Sequence, residues 1–164
     1  MTGRKQADPG RRAARRLVAD ARAVVERCAG LNARAAARRI TAFLEQHMRE
    51  TGLGIAQFGL LAQIAAARDD TVGALAERAG LDQSTLSRNL HALARAGLVE
   101  IAVVEKDLRR RAVWLTETGA RRLEAAIPAW RRAHGRLARL IDPRAVRALA
   151  ARTAALAGAA DTPG

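Results

Sequence analysis

The sequence predicts a mainly α-helical fold that carries one small β-hairpin. Its 164 residues are rich in alanine, leucine and arginine and contain two Trp, two Phe and no Tyr, which favours helices over a β-sandwich or barrel. At about 100° per residue, Leu86, Leu90 and Leu93 share one narrow face of a helix. Residues 98–104 are instead dense in β-branched and apolar residues, which indicates a strand.

Three helices are predicted in the N-terminal part, after a disordered tail over residues 1–10. Their ranges are 11–29, 33–50 and 55–67. We expect Gly30 to end the first helix, because glycine disfavours helices, and Asn32 to cap the second, because its side chain can satisfy a free N–H group. The third helix is so apolar that most of its surface should be buried.

A helix-turn-helix is predicted at the centre of the chain. Thr71 suits the N-cap of a short helix over residues 72–79, and Gly80 begins a tight turn. Asp82 then caps a second helix, which Gly97 ends. Opposite its leucine face, this second helix presents short hydroxyls and cations but no acid, a profile suited to phosphates and base edges.

The segment after the helix-turn-helix is predicted to form a β-hairpin, called the wing below. Residues 98–104 and 112–115 are its two strands, and the charged residues 105–111 lie at its tip. Three consecutive arginines, Arg109 to Arg111, are close to that tip. A helix-turn-helix followed by such a hairpin is a winged helix-turn-helix.

Two further helices are predicted in the C-terminal part. Thr116 caps a long helix that reaches about residue 141, and Pro128 should kink it. Asp142 caps a last helix that runs to about residue 157. Because the first and last helices have apolar stripes but little neighbouring chain to cover them, we expect both to pair with a second copy.

The predicted architecture is therefore a winged helix-turn-helix embedded between N- and C-terminal dimerisation helices. The expected boundaries are 1–10 for a tail, 11–54 for N-terminal dimerisation helices, 55–116 for the winged helix-turn-helix, 117–158 for C-terminal dimerisation helices and 159–164 for a second tail.

Several short motifs occur in a recognisable order. They are Gln57-Phe58-Gly59-Leu60-Leu61, Thr71-Val72-Gly73-Ala74-Leu75-Ala76, the segment from Ser84 to Arg88, Gly97-Leu98-Val99, Asp107-x-Arg109 and Leu115-Thr116-x-x-Gly119. Together they resemble the MarR family of bacterial transcription regulators over roughly residues 31–140. The resemblance implies a homodimer, made by interlocked terminal helices, that binds an inverted-repeat duplex DNA operator. It also implies a repressor that a small phenolic or aromatic effector releases.

The candidate DNA contacts lie on the second helix, on the wing and at the start of the first helix. They are Thr71, Gln83, Ser84, Thr85, Ser87, Arg88, His91, Lys106, Arg109, Arg110 and Arg111. Arg88 can pair bidentately with guanine and Gln83 with adenine in a major groove. The resemblance implies that a wing arginine enters the minor groove and that Asp107 holds it. Arg109 is the first candidate and Arg111 the second.

Charge and cysteine content limit the possible partners and compartment. The formal charge of +13 favours nucleic acid or an anionic surface, although an arginine-rich composition also follows from a GC-rich genome. One cysteine excludes an internal disulfide, and no apolar run approaches the ~20 residues that span a bilayer, so we expect a cytoplasmic protein. Because no phosphate loop, metal spacing or catalytic triad occurs, neither an enzyme nor a bound cofactor is expected.

Other functions stay open at this stage. The chain could be a winged-helix protein-interaction module that has lost DNA binding, or a thiol-based redox regulator that uses Cys28. The redox hypothesis is weakened by comparison with the peroxide-sensing branch that resembles this family. When Leu31-Asn32 and Thr41 are aligned with that branch, the position of its reactive cysteine is occupied by Gly30, not by Cys28. Trp114 and Trp130 are interpreted as packing residues, and Trp130 with His47 is the candidate lining of an effector pocket.

Overall fold

The computed structural model describes residues 9–67, 71–104 and 107–156; within these ranges the side chains of residues 9, 11, 12 and 103–111 lie outside the description. The described elements are α1 (Pro9–Arg27), α2 (Ala29–Met48), a 3₁₀ turn (Arg49–Thr51), α3 (Ile55–Ala66), α4 (Val72–Ala79), α5 (Gln83–Arg95), β1 (Val99–Val104), β2 (Asp107–Leu115), α6 (Glu117–Leu137) and α7 (Pro143–Ala154). The mainly α fold with one small hairpin is thus confirmed. No described helix is both long enough and apolar enough to cross a membrane.

The first compact unit, residues 1–42, contains α1 and most of α2. Helix α1 begins at Pro9, two residues before the predicted start and inside the predicted tail, because proline suits the first position of a helix. The rest of that tail, residues 1–8, lies outside the described residues.

The junction between α1 and α2 differs from the prediction. It falls at Cys28, and both Gly30 and Asn32 lie inside α2, so the predicted roles of Gly30 as a breaker and Asn32 as a cap are wrong. The Asn32 side chain instead donates from Nδ2 to the main-chain oxygen of Glu26 at 2.9 Å. It thereby satisfies a carbonyl left open where α1 ends.

The second compact unit, from Phe43 onward, contains the hydrophobic core. Met48, Leu61 and Leu75 are fully buried there, and α3 also buries Phe58, as its apolar sequence predicted. The three leucines of α5 lie in the same core, each at most 1% exposed. The helical stripe recognised in the sequence is therefore the surface that anchors α5 to the domain.

Side-chain caps and a left-handed glycine determine where the two helices of the helix-turn-helix begin and end. Thr71 Oγ1 accepts from the Ala74 N–H at 3.3 Å, and Asp82 Oδ1 accepts from the Thr85 N–H at 2.8 Å, so both predicted caps are confirmed. Gly97, with φ +68°, closes α5, and the Leu98 N–H beyond it reaches back to the Leu93 carbonyl at 3.0 Å.

Strands β1 and β2 form the antiparallel wing. The pairs run from Val99 opposite Leu115 to Val103 opposite Arg111, and the register then shifts so that Val104 faces Asp107. The strand therefore includes residues predicted to be tip, since β2 begins at Asp107 and not at residue 112. Main-chain pairing depends little on side-chain charge, and a bulge absorbs the unequal lengths of the two strands.

Helix α6 begins where the end of α5 meets the base of the wing. Thr116 Oγ1 accepts from the Gly119 N–H at 2.9 Å and donates to the Gly97 carbonyl at 2.6 Å. The Thr116 N–H also donates to the Leu98 carbonyl at 3.2 Å. A single threonine thus caps α6 as predicted and holds it against the turn before β1.

The remaining C-terminal elements largely follow the prediction. Helix α6 ends at Leu137, about four residues early, and Pro128 lies inside it. The kink at Pro128 stays a prediction. Asp142 caps α7 through its bond from the Arg144 N–H at 2.9 Å, with Pro143 at the first helical position. Helix α7 ends at Ala154, before the predicted residue 157, which lies outside the described residues.

Candidate nucleic-acid interface

Helix α5 separates an anchoring face from a solvent face. Its leucines are buried, whereas Gln83, Ser84, Arg88 and His91 are exposed and Thr85 and Ser87 are half-buried. The described residues at the front of α5 therefore combine hydroxyls, an amide, an imidazole and a guanidinium on one accessible surface. These are the side-chain types that hydrogen-bond to base edges and phosphates in a major groove.

The start of α5 carries a hydrogen-bond network that the sequence analysis missed. Asp82 Oδ1 accepts from Ser84 Oγ at 2.6 Å, and its Oδ2 accepts from Thr85 Oγ1 at 2.7 Å. Thr85 Oγ1 in turn accepts from Arg88 Nη2 at 3.2 Å. The sequence signal for this network is an aspartate with hydroxyls two and three residues later, which by itself predicts only a cap.

This network gives the solvent face an acid at its start. The hydrogen bond from Ser84 above all, then the main-chain and side-chain bonds from Thr85 and the positive charge of Arg88, hold the pKa of Asp82 well below its ordinary value. The carboxylate is consequently charged at neutral pH. While these bonds persist, the Ser84 and Thr85 hydroxyl hydrogens point to Asp82, which changes the role expected of them as donors to phosphate.

Thr71 connects the first helix of the motif to the wing. It caps α4, and its main chain forms an isolated antiparallel bridge with Ala112 of β2. The base of the wing is thus joined to the start of α4. Thr71 is half-buried, so its hydroxyl serves the cap first.

The other candidate wing contacts are only partly described. Lys106 lies outside the described residues, and the side chains of Asp107, Arg109, Arg110 and Arg111 do as well. The main chain of these last four residues belongs to β2. Which arginine approaches a groove, and whether Asp107 holds it, stays a prediction.

The two tryptophans have different environments. Trp130 stacks on Phe58 with ring centroids 6.0 Å apart and packs against the core, as expected for a packing residue. Trp114 is 43% exposed, and its Nε1 donates to Glu100 Oε2 across the wing at 3.0 Å. Its interpretation as a packing residue is wrong, because its position on a two-stranded sheet leaves one face without a covering layer.

The two candidate effector-pocket residues, Trp130 and His47, contact different aromatic rings. Trp130 lies 5.0 Å from the His134 ring, whereas His47 lies 4.2 Å from the Phe43 ring and its Nδ1 is 2.8 Å from the Phe43 carbonyl oxygen. A shared pocket for Trp130 and His47 stays a prediction. Across the described ranges, no three His, Cys, Asp or Glu side chains cluster in a way that could hold a metal ion.

Comparisons with known proteins agree with this geometry. A family model described as "MarR family" matches residues 51–110. The transcriptional regulator MosR of M. tuberculosis, solved in complex with DNA, is 33% identical with a TM-score of 0.74, over 82% of this chain and 99% of that chain.

Two solved structures of lower identity share the fold. The transcriptional repressor CouR, bound to a 23-mer DNA duplex, is 23% identical with a TM-score of 0.68, over 82% of this chain and 95% of that one. PcaV of Streptomyces coelicolor, in complex with its natural ligand, is 21% identical with a TM-score of 0.69, over 84% of this chain and 96% of that one. No match was found among curated protein sequences.

Proposed function

Because the chain belongs to the MarR family of transcription regulators, we propose that it is a homodimeric repressor that binds an inverted-repeat duplex operator. Helix α5 enters the major groove, and the wing lies at the minor groove. The observation that carries the proposal is the two-sided α5, with its leucines anchored in the core and its polar side, including Arg88, open to solvent. The DNA complex of the 33% identical MosR supports duplex DNA as the ligand.

Uncovered apolar side chains on the terminal helices support the homodimer. On α1, Leu17 and Val25 are 69% and 65% exposed, and on α7 Leu149 is 54% exposed. Patches of this kind on a water-soluble surface mark interfaces, because their burial against a partner is favourable. An isologous pairing relates the two copies of α5 by a two-fold axis, which is also the symmetry of an inverted repeat.

In this assembly, different segments of the chain serve dimerisation and DNA binding. Residues 11–54 and 117–158 contribute dimerisation helices, and residues 55–116 contribute the DNA-binding region. The compact units divide inside α2, after Ala42, because Leu44 and Met48 pack in the core of the second unit. The last turns of α2 therefore belong with the DNA-binding region in packing terms.

Repression released by a small molecule is the regulatory part of the proposal. A relative of similar fold, CouR, is a repressor, and another, PcaV, was solved with its natural ligand. Trp130 and His47 are the proposed pocket residues, and a phenolic or aromatic ligand would suit such rings. The effect is allosteric only if ligand and DNA favour different arrangements of the two DNA-binding regions.

Selection of bound duplexes from a random pool, with and without phenolic compounds, tests the function. Arg88→Ala is then expected to weaken the selected duplex, relative to a scrambled duplex of equal length, by about 5- to 150-fold for each of its two half-sites, because a guanidinium on a base edge contributes ~1–3 kcal/mol of discrimination. Fluorescence anisotropy with both duplexes measures this ratio.

The wing arginines serve as internal comparisons in that experiment. Arg110→Ala should weaken both duplexes by similar factors and reduce the log–log salt slope by about one for each subunit of the dimer, as expected for a phosphate contact. Arg109→Ala should fall between, since minor-groove insertion depends on groove width. Equal losses on both duplexes for Arg88→Ala would contradict the role of α5. Indifference to all three changes would favour a protein-interaction module.

A separate experiment tests the redox alternative. Cys28 is half-buried at the α1–α2 junction. Cys28→Ser is expected to leave both duplex affinity and its response to organic peroxide unchanged, as measured by anisotropy before and after oxidation. If only the unaltered protein releases DNA on oxidation, Cys28 is a sensor and the thiol hypothesis is correct.

A further inference from the structure

A chain of hydrogen bonds at the start of α5 ends on the side chain proposed to recognise a base. The Thr85 hydroxyl donates to Asp82 Oδ2 at 2.7 Å, and its oxygen accepts from Arg88 Nη2 at 3.2 Å. A hydroxyl has one hydrogen and two lone pairs, so Thr85 makes both bonds at once. Asp82 is thereby linked to the Arg88 guanidinium through one intermediate side chain.

Capping and this link use different oxygens of Asp82. Oδ1 accepts from the Thr85 N–H at 2.8 Å and from Ser84 Oγ at 2.6 Å, whereas Oδ2 accepts from the Thr85 hydroxyl. Asparagine is as good an N-cap as aspartate, but its Nδ2 only donates. Asparagine at position 82 would therefore keep the helix cap but remove the carboxylate charge and the acceptor that fixes the orientation of the Thr85 hydroxyl beside Arg88.

We propose that Asp82 is a positioning residue for base recognition, holding Arg88 through Thr85 in the conformation that pairs with the base edge. The proposal rests on the DNA-binding function proposed above and deepens it. An exposed arginine has many rotamers, and the conformational entropy lost when binding orders it weakens affinity. A guanidinium that is ordered before binding loses less of this entropy. The Thr85 bond engages one of its five N–H donors and leaves the others for a base.

The charge of Asp82 has a separate effect that does not depend on the DNA sequence. A carboxylate at the front of α5 repels phosphates wherever the protein sits on DNA, which weakens binding to any sequence. On a correct site, the ordered Arg88 compensates for this repulsion by its base contact. Asp82 thus raises the preference for the correct site over other sequences, rather than total affinity.

Asp82→Asn is the variant that tests the proposal. We expect the affinity for the scrambled duplex to rise and the ratio of selected to scrambled affinity to fall roughly three- to tenfold for each half-site, the factor that ordering one long side chain costs on binding. Helix content by circular dichroism should be unchanged. Asp142→Asn is the matched control, because it removes the same charge from another N-cap, at the start of α7, and should leave the ratio unchanged.

A double-mutant cycle distinguishes positioning from a general charge effect. In an Arg88→Ala background, Asp82→Asn should raise both affinities equally and leave the ratio unchanged. An unchanged ratio for Asp82→Asn alone, or the same fall in both backgrounds, would overturn the positioning role while leaving the proposed function intact. Failure of the unaltered protein to prefer any selected duplex would overturn both, and it would be seen before any substitution was made.

Discussion

Gly119→Ala is expected to destabilise the protein by about 3 kcal/mol, at the upper end of the cost of overpacking. Gly119 lies in the first turn of α6, and a Cβ placed on it would overlap the main-chain oxygen of Leu98 and lie 2.8 Å from the Leu98 carbonyl carbon. The neighbour is main chain, and it is held by the Thr116 N–H bond to the same oxygen at 3.2 Å. Neither side can give way without moving α6 from the base of the wing.

Gly135→Ala in the same helix is the matched control. Apart from its chain neighbours and the nearby backbone of α6 itself, no atom lies within 4 Å of a Cβ built at Gly135, so alanine there should stabilise the protein by roughly 0.5–1 kcal/mol through its better helix propensity. Chemical denaturation at one fixed protein concentration measures both changes, since a dimer's stability depends on concentration. Similar effects of the two alanines would contradict the close contact between α6 and Leu98.

Leu149→Asp is expected to convert the protein to a monomer and to lower affinity for the selected two-half-site duplex by about 100-fold or more. The leucine is 54% exposed in the described chain, so its replacement costs the folded subunit little, but a carboxylate cannot be buried against a partner. A monomer binds only one half-site at a time and loses the gain from linking the two. Light scattering at micromolar concentration and anisotropy measure the two effects.

Ala151→Asp provides the control on the same helix. It introduces the same charge, but at ~100° per residue it lies about 160° around α7 from Leu149. We expect it to remain dimeric and to bind DNA nearly as well as the unaltered protein. If Leu149→Asp stayed dimeric with full affinity, the apolar face of α7 would not be part of the interface. If the unaltered chain were monomeric, the proposed assembly would be wrong.

Much of the candidate interface could be predicted because its signals are local. The leucine spacing of α5 and the caps Thr71, Asp82 and Thr116 each depend on residues within one or two turns of the same segment. Exposure of Arg88 also followed, since it lies opposite the leucines on the helix.

Helix and strand ends were predicted less well. The junction of α1 and α2 falls at Cys28, and Asn32, already inside α2, reaches back across it to the Glu26 carbonyl at 2.9 Å. Glycine and asparagine propensities alone favoured a boundary a few residues later. Likewise, β2 extends to Asp107 because pairing with β1 continues through a register shift, and a charged sequence does not prevent main-chain pairing.

The sequence by itself thus determined the class of fold, the order of its elements and the helix that presents Arg88, because periodicity and caps act within an element. Only the tertiary structure decided that Gly119 has no room for a side chain and that Trp114 is exposed, because both properties depend on which segments approach each other. The link from Asp82 through Thr85 to Arg88 lies between these cases. Its residues are close in sequence, but its donors, acceptors and rotamers are set only once the helix is built.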